Sequence, residues 1–182
     1  YLMNEILIKL KNLNWLYFFL VSFLSFVGVV MIYSATSAME INIFINHIAK
    51  VFFGLAIMII ISLIDMDFWK KNAFYFYLFC LLLLIWASLF GYIGKGSRRW
   101  INFQGFFFQP SELMKIVIIL ALAKFFDEKK FKEKRDYFFL ILPITMAVIP
   151  FVLILSQPDL GTASIFLFVC FIVFFLAGLS WK

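Results

Sequence analysis

An all-α, polytopic integral membrane bundle of six transmembrane helices is the fold class this sequence predicts, and three observations lead there. Of the 182 residues, 65% are hydrophobic and only 14% charged, against about 25% charged in soluble chains. Mean hydropathy is +1.05. Apolar runs of the roughly 20 residues that cross a bilayer recur along the whole length, with charges gathered between them. The runs leave no room for a second domain, so residues 1–182 are expected to form a single membrane domain. The net charge of +6 then reports topology, and no nucleic-acid partner is expected. Cys80 and Cys170 sit mid-run and read as small hydrophobes. No metal-ligand spacing occurs, and His47 is the single histidine.

Residues 2–13 place Leu2, Ile6, Leu10 and Leu13 on one helical stripe and Glu5, Lys9 and Asn12 on another, the pattern of an interfacial helix in contact with membrane lipids; a frayed, merely oily tail is the alternative reading. The first span, 15–33, is uncharged and longer than the roughly 7–15 apolar residues of a signal peptide, so it is expected to stay uncleaved. A polar loop, 34–47, contains Glu40. The second span covers 48–64, and Asp65, Asp67, Lys70 and Lys71 form a short turn before the third, 73–93. The fourth, 111–126, is only about 24 Å long at 1.5 Å per residue, short of the roughly 30 Å hydrocarbon core. With Lys115 in its first turns it points to a thinned or water-filled entrance rather than a lipid-facing span. Residues 127–136 are a hydrated charge run. The fifth span, 137–155, contains Pro143 and Pro150 and is expected to kink. A tight turn, Ser156-Gln-Pro-Asp159, leads into the sixth, 160–179.

Six spans put both ends on one side. If that side is cytoplasmic, eleven Lys and Arg lie inside and five outside, as the positive-inside rule requires. Tyr33, Tyr92 and Trp100 then fall at the outer interface, and Trp15, Trp69, Tyr137 and Trp181 at the inner one.

Three of the five outer cations, Lys95, Arg98 and Arg99, lie within five residues, on the face where topology disfavours them. Contact with lipid phosphates or salt bridges within the loop would account for them. So would an anion site for a phosphate-bearing ligand, to which the guanidinium fork is suited. Gln109-Pro-Ser-Glu112 opens the fourth helix: proline costs no hydrogen bond in a first turn, and Ser111 can cap free amides. Glu112 and Lys115 are three apart, hence neighbours on one face. Charges in a span are costly unless paired or hydrated, and mark function by default; a buried ion pair that fixes helix docking is an equally weighted reading. Gln157-Pro158-Asp159 repeats the device. Taken alone, Asp159 is a helix cap at the positive end of the macrodipole. If the fold brings both turns to one face, the two carboxylates, the cations and the amides build a wet pocket.

At these residues the chain resembles a known family. Gly96-Ser-Arg-Arg-Trp-Ile101, Phe108-Gln-Pro-Ser-Glu-Leu113 with Lys115, and Gln157-Pro-Asp-Leu-Gly-Thr162 are similar to motifs of the SEDS family (shape, elongation, division and sporulation; the RodA/FtsW/SpoVE proteins). Tyr33-Ser-Ala and the Asp65-x-x-Phe-Trp69 turn add support, and the wording is closer to the RodA-like, elongation-type branch. The resemblance implies a peptidoglycan glycosyltransferase of the bacterial inner membrane that polymerises lipid II, an undecaprenyl-diphosphate-linked precursor, beside a class B penicillin-binding protein. It makes Lys95, Arg98, Arg99, Gln109, Ser111, Glu112, Lys115, Gln157 and Asp159 the candidate substrate-binding residues. The diphosphate leaving group needs cations in a poorly hydrated site, for which Lys95, Arg98, Arg99 and Lys115 are available. The acceptor hydroxyl needs a general base, which Glu112 or Asp159 would assist. Family members have about ten spans and their principal aspartate lies in an outer loop of the later half. The 182 residues are therefore expected to be an N-terminal part without the main catalytic loop, inactive alone. No cofactor is called for; a divalent cation stays open.

Two other classes compete with the enzyme. One is a transporter or flippase for a lipid-linked precursor, since short helices and intramembrane charge are also transporter features. The other is a non-catalytic membrane scaffold for a penicillin-binding protein, which would have no need of the basic outer cluster.

Overall fold

A computed structural model of the chain describes residues 9–11, 13–36, 41–94, 97–103, 106–128 and 137–178. It divides into two compact units, residues 1–66 and 67–182.

Among its described residues the first unit has two long helices, α1 (Trp15–Ala35) and α2 (Ile41–Ser62), both long and apolar enough to cross a bilayer. α1 stops where Thr36 turns extended; its amide and its hydroxyl both donate to the Ile32 carbonyl, closing one of the acceptors a helix end leaves open. α2 begins at Ile41, seven residues ahead of the span expected from 48. Asn42, Asn46 and His47 lie inside it, because apolar residues between them carry the helix and a few amides at a membrane interface do not break it. Tyr33 and Phe44, 5.2 Å apart at their ring centroids, pack the two helices together. Of the expected interfacial helix, residues 9–11 are helical; the rest, apart from Leu13, lies outside the described residues, as do Glu40 and positions 129–136. Lys9 Nζ pairs with Asp65 at 2.7 Å and donates to the Leu63 carbonyl.

The second unit is a four-helix bundle crowned by a small sheet: α3 (Met66–Phe90), β1 (Tyr92–Gly94), β2 (Ser97–Phe103), β3 (Phe106–Phe108), α4 (Pro110–Glu128), α5 (Tyr137–Ser156) and α6 (Leu160–Leu176). α3 starts at Met66, so Asp67, Lys70 and Lys71 belong to a helix rather than a turn, and Asp67 sits in the first turn, where the macrodipole favours a carboxylate. α3 and α5 are long and apolar enough to cross a membrane, while α6 is shorter at 17 residues.

Each helix buries one stripe at helical spacing. On α3 it is Ala73, Tyr77, Cys80, Leu84 and Ala87; on α6, Ala163, Phe166 and Cys170. On α4 it is Met114, Val117, Ile118, Ala121, Leu122 and Phe125. α5 runs as one helix through Pro143 and Pro150, both fully buried on the same stripe as Met146, Ala147 and Ile154. Each proline leaves the carbonyl four residues earlier without its helical donor, and within a bundle neighbours can supply another. Small residues among these stripes let backbones approach, which drives packing where lipid is as apolar as the side chains. Tyr77 sends its hydroxyl to the Met146 carbonyl at 3.0 Å, satisfying a polar group inside the core.

Between α3 and α4 the chain forms an antiparallel sheet in the order β1-β2-β3. Tyr92 pairs with Trp100 and Ile93 with Arg98, so the register slips and Arg99 is the extra residue of a bulge. Ile101 pairs with Phe108 and Asn102 with Phe107. Ile101 is buried, and the rings of Tyr92 and Phe107 meet across β2 at 5.3 Å. Gly91 admits the return of the strand over the end of α3: a Cβ there would lie 2.2 Å from the Ala87 carbonyl oxygen and 3.2 Å from that of Trp100.

Candidate functional site

The sheet and the N-terminal ends of α4 and α6 meet at one carboxylate. Asp159 is the N-cap of α6, and its Oδ1 accepts from the Thr162 amide at 3.2 Å. Its Oδ2 accepts from the Thr162 hydroxyl at 2.9 Å, from Gln109 Nε2 at 3.0 Å and from Arg99 Nη1 at 2.9 Å. Gln109 also donates to the Ser111 hydroxyl at 2.9 Å. The side chains of Arg99 and Asp159 are 21% and 12% exposed, so this is a largely desolvated pair with further hydrogen bonds around it, the condition under which such a pair holds. Partial burial pushes the Asp159 carboxyl up; the hydrogen bonds from Thr162 and the positive charge of Arg99 outweigh it and hold the group below its ordinary value.

The expected site residues separate into four groups. Arg99, Gln109, Ser111 and Asp159 come together. Ser111 is buried at the second position of α4 and accepts from Gln109, so it lies inside the helix rather than ahead of it as a cap. Glu112 and Lys115 form the expected ion pair at 2.9 Å, with Glu112 half exposed and Lys115 mostly covered. Gln157 turns away: it is buried, and its Nε2 reaches the Leu84 carbonyl at 3.4 Å, tying the turn to α3. Arg98, though adjacent to Arg99, is exposed and donates to the Leu89 carbonyl near the end of α3 at 3.2 Å. The linear cluster of arginines thus serves two places. Lys95 lies outside the described residues.

Two participants escaped the reading of the sequence. Thr162 supplies two of the bonds to Asp159; its place three residues after an N-cap was the available signal. Ser97 is 6% exposed and its hydroxyl has no hydrogen-bond partner, a condition shared by Nε of Arg99. A cleft of about 550 Å3 opens beside the sheet, lined by Trp86, Phe90, Gly91, Tyr92, Trp100, Ile101 and Asn102. Among the described residues no three of His, Cys, Asp and Glu gather as metal ligands.

A family model described as "cell cycle protein", that of FtsW, RodA and SpoVE, matches residues 14–182. The chain belongs to the FtsW/RodA/SpoVE family. Among its FtsW/RodA/SpoVE relatives, the peptidoglycan glycosyltransferase MrdB of Escherichia coli K12 is 32% identical over 157 residues, covering 84% of this chain and 42% of the relative. Stage V sporulation protein E of Bacillus subtilis is 31% identical, covering 84% and 44%. The probable peptidoglycan glycosyltransferase FtsW of Geobacter metallireducens is 37% identical, covering 83% and 43%. Among solved structures, the rod shape determining protein RodA of Thermus thermophilus superposes with a TM-score of 0.82 at 28% identity, covering 94% of this chain and 56% of that one. A chain from a peptidoglycan synthase complex that coordinates polymerization and crosslinking gives 0.80 at 29%, covering 93% and 49%. The chain thus spans about half the length of the relatives it matches. With its apolar helices, this membership makes it a multi-pass, helical membrane protein.

Proposed function

We propose that the protein acts in peptidoglycan synthesis as a glycosyltransferase that polymerises lipid II in the bacterial inner membrane, in the service of cell shape. In this reading residues 1–182 form one membrane domain with both ends cytoplasmic, and the sheet faces the outer side, where the substrate is presented. The observation that carries it is the convergence of three separated motifs on the Asp159 carboxylate, with the Glu112–Lys115 pair in the first turns of α4, which at 19 residues is longer than the 16 expected. Cations held by neighbours beside a partly desolvated surface suit a diphosphate leaving group, because preorganised charge acts most strongly where water is scarce. Arg99 and Lys115 are the cations best placed, with Lys95 and Arg98 contributing at the rim. Gln109 and Ser111 set the geometry, and Gln157 locks the turn behind it. Glu112 and Asp159 orient groups rather than replace the principal base, which this reading assigns to the part of the protein beyond these residues. The relatives named peptidoglycan glycosyltransferases support the activity. The matched synthase complex supports a partner that crosslinks, a class B penicillin-binding protein.

The test is purified full-length protein given labelled lipid II, alone and with its penicillin-binding partner. Glycan strands are expected from the full-length protein and none from residues 1–182. Movement of lipid II between leaflets with no strands formed would replace the polymerase with a flippase. Unchanged growth and partner binding after neutralising Arg98 and Arg99 together would favour a scaffold.

A further inference from the structure

Two observations on β2 are left over once the ion pair is drawn. The slip in register makes Arg99 the extra residue of a bulge, a device that re-aims a side chain away from the ladder. Nη1 of its guanidinium pairs with Asp159. Nε of the same group is buried without a hydrogen-bond partner, and so is the hydroxyl of Ser97 two residues earlier. An unmade hydrogen bond at a buried donor costs stability, and native folds keep few of them. Both groups can donate, both lie on one short strand, and one belongs to a fixed cation. An anionic oxygen is the acceptor that suits such donors best.

Asp159 is in the opposite condition. Its Oδ2 accepts from three donors, Thr162, Gln109 and Arg99, and its Oδ1 from the Thr162 amide, so the oxygen beside Arg99 is already fully engaged. The other charged groups on the elements packed around it are Arg98 on β2, held at Leu89, and Glu112 and Lys115 near the start of α4, which pair with each other. Lys124, Asp127 and Glu128 sit in the last turns of α4, and α5 and α6 carry no charged residue.

We infer that Ser97 and Arg99 form an anion subsite for a phosphate oxygen of the lipid-linked diphosphate, and that Asp159 is the positioning residue that holds Arg99 in it, not a base. The inference rests on the function proposed above and adds to it a residue, a division of labour and a limit on what Asp159 does.

Three variants of the full-length protein test it. Ser97→Ala removes an unpartnered hydroxyl, so melting in detergent stays level or rises, while KM for lipid II rises about ten- to a hundredfold with kcat within about twofold, the size expected for one lost bond to a charged oxygen. Arg99→Lys keeps the charge, loses the fork and raises KM at least as much. Asp159→Asn keeps an equivalent helix cap; it raises KM, lowers kcat less than about threefold and leaves the acidic limb of the pH–rate profile where it was. Combined with Arg99→Lys it adds little, since the two act as one unit. A fall in kcat of about a hundredfold with loss of that limb would make Asp159 a base and overturn the inference. A lower melting temperature for Ser97→Ala with KM unchanged would make Ser97 structural and overturn it as well. Defects present only in vesicles containing phosphatidylglycerol, and absent in neutral detergent, would give the subsite to a bilayer phosphate instead. A separate measurement keeps the subsite apart from the overall reaction. Undecaprenyl diphosphate should raise the melting temperature of the wild-type protein more than that of Ser97→Ala or Arg99→Lys, whether or not strands are made. Equal shifts in all three would sink the subsite, whereas absent strands with unequal shifts would sink only the polymerase.

Discussion

Asp159 shows how much one side chain can join. Its carboxylate caps α6, receives Gln109 from the head of α4 and pairs with Arg99 on β2. Its pH dependence follows from the folded group being held below its ordinary value. The contribution is fully present above the ordinary carboxylate value of about 3.9 and is lost as pH falls through the lower, folded value. Melting curves of wild type and Asp159→Asn should therefore differ by a constant amount from about pH 6 to 8 and converge in acid below about pH 4. A gap that widens on acidification would contradict the ion pair. Gly91 makes a second prediction at this scale. Gly91→Ala forces a methyl to within 2.2 Å of the Ala87 carbonyl oxygen, backbone that cannot step aside alone. A loss of about 1–3 kcal/mol is expected, readable as lowered resistance to unfolding in detergent.

Among the elements, the helices were legible and the sheet was not. Runs such as Ala73–Phe90 and Leu160–Leu176 announce themselves by composition, and both Gln-Pro-containing turns were read correctly as helix starts because proline and an acidic residue belong there. The sheet hid because its outer strands have three residues each and β2 interleaves charge with aromatic rings, leaving no clean period of two. Without the sheet, Arg98 and Arg99 read as one cluster; the bulge sends Arg99 to Asp159 while Arg98 stays at Leu89. The early start of α2 was missed for a different reason: Asn42, Asn46 and His47 look like loop by polarity, yet the isoleucines between them suffice for a helix. Ile101 is the residue on which the sheet rests, 2% exposed and opposite Phe108. Ile101→Ala should cost about 2–5 kcal/mol, and because β2 carries Arg99 it should also weaken lipid II binding. Destabilisation with unchanged binding would mean the sheet does not position the arginine.

At the largest scale, within the second unit the organising element is α4, the helix whose buried stripe runs from Pro110 to Phe125. α3, α5 and α6 lay long faces of Leu, Ile, Val and Phe outward, where lipid replaces water as the neighbour. Adjacent positions of α4 test this arrangement. Ile118 is completely buried and Ile116 is 59% exposed. Ile118→Ala should destabilise the bundle by about 2–5 kcal/mol, as a core truncation does; Ile116→Ala, which exchanges one lipid contact for another, should cost under about 1 kcal/mol. Denaturation in mixed micelles would resolve the two, and equal effects would mean that Ile116 also packs against protein.

The lysines of α4 carry one more consequence. Lys115 pairs with Glu112 near the start of the helix; Lys124, close to the other end, donates to the Lys71 carbonyl, pairs with Glu128 and lies over the ring of Phe74. Nine residues separate them, about 13 Å of helix, against a hydrocarbon slab of about 30 Å. If water follows both ammonium groups, the insulating layer along this helix is less than half as thick as in the surrounding bilayer. An electrical potential across the membrane would therefore fall most steeply here. A charged headgroup arriving at the sheet end would feel that field more strongly than lipids elsewhere in the same leaflet.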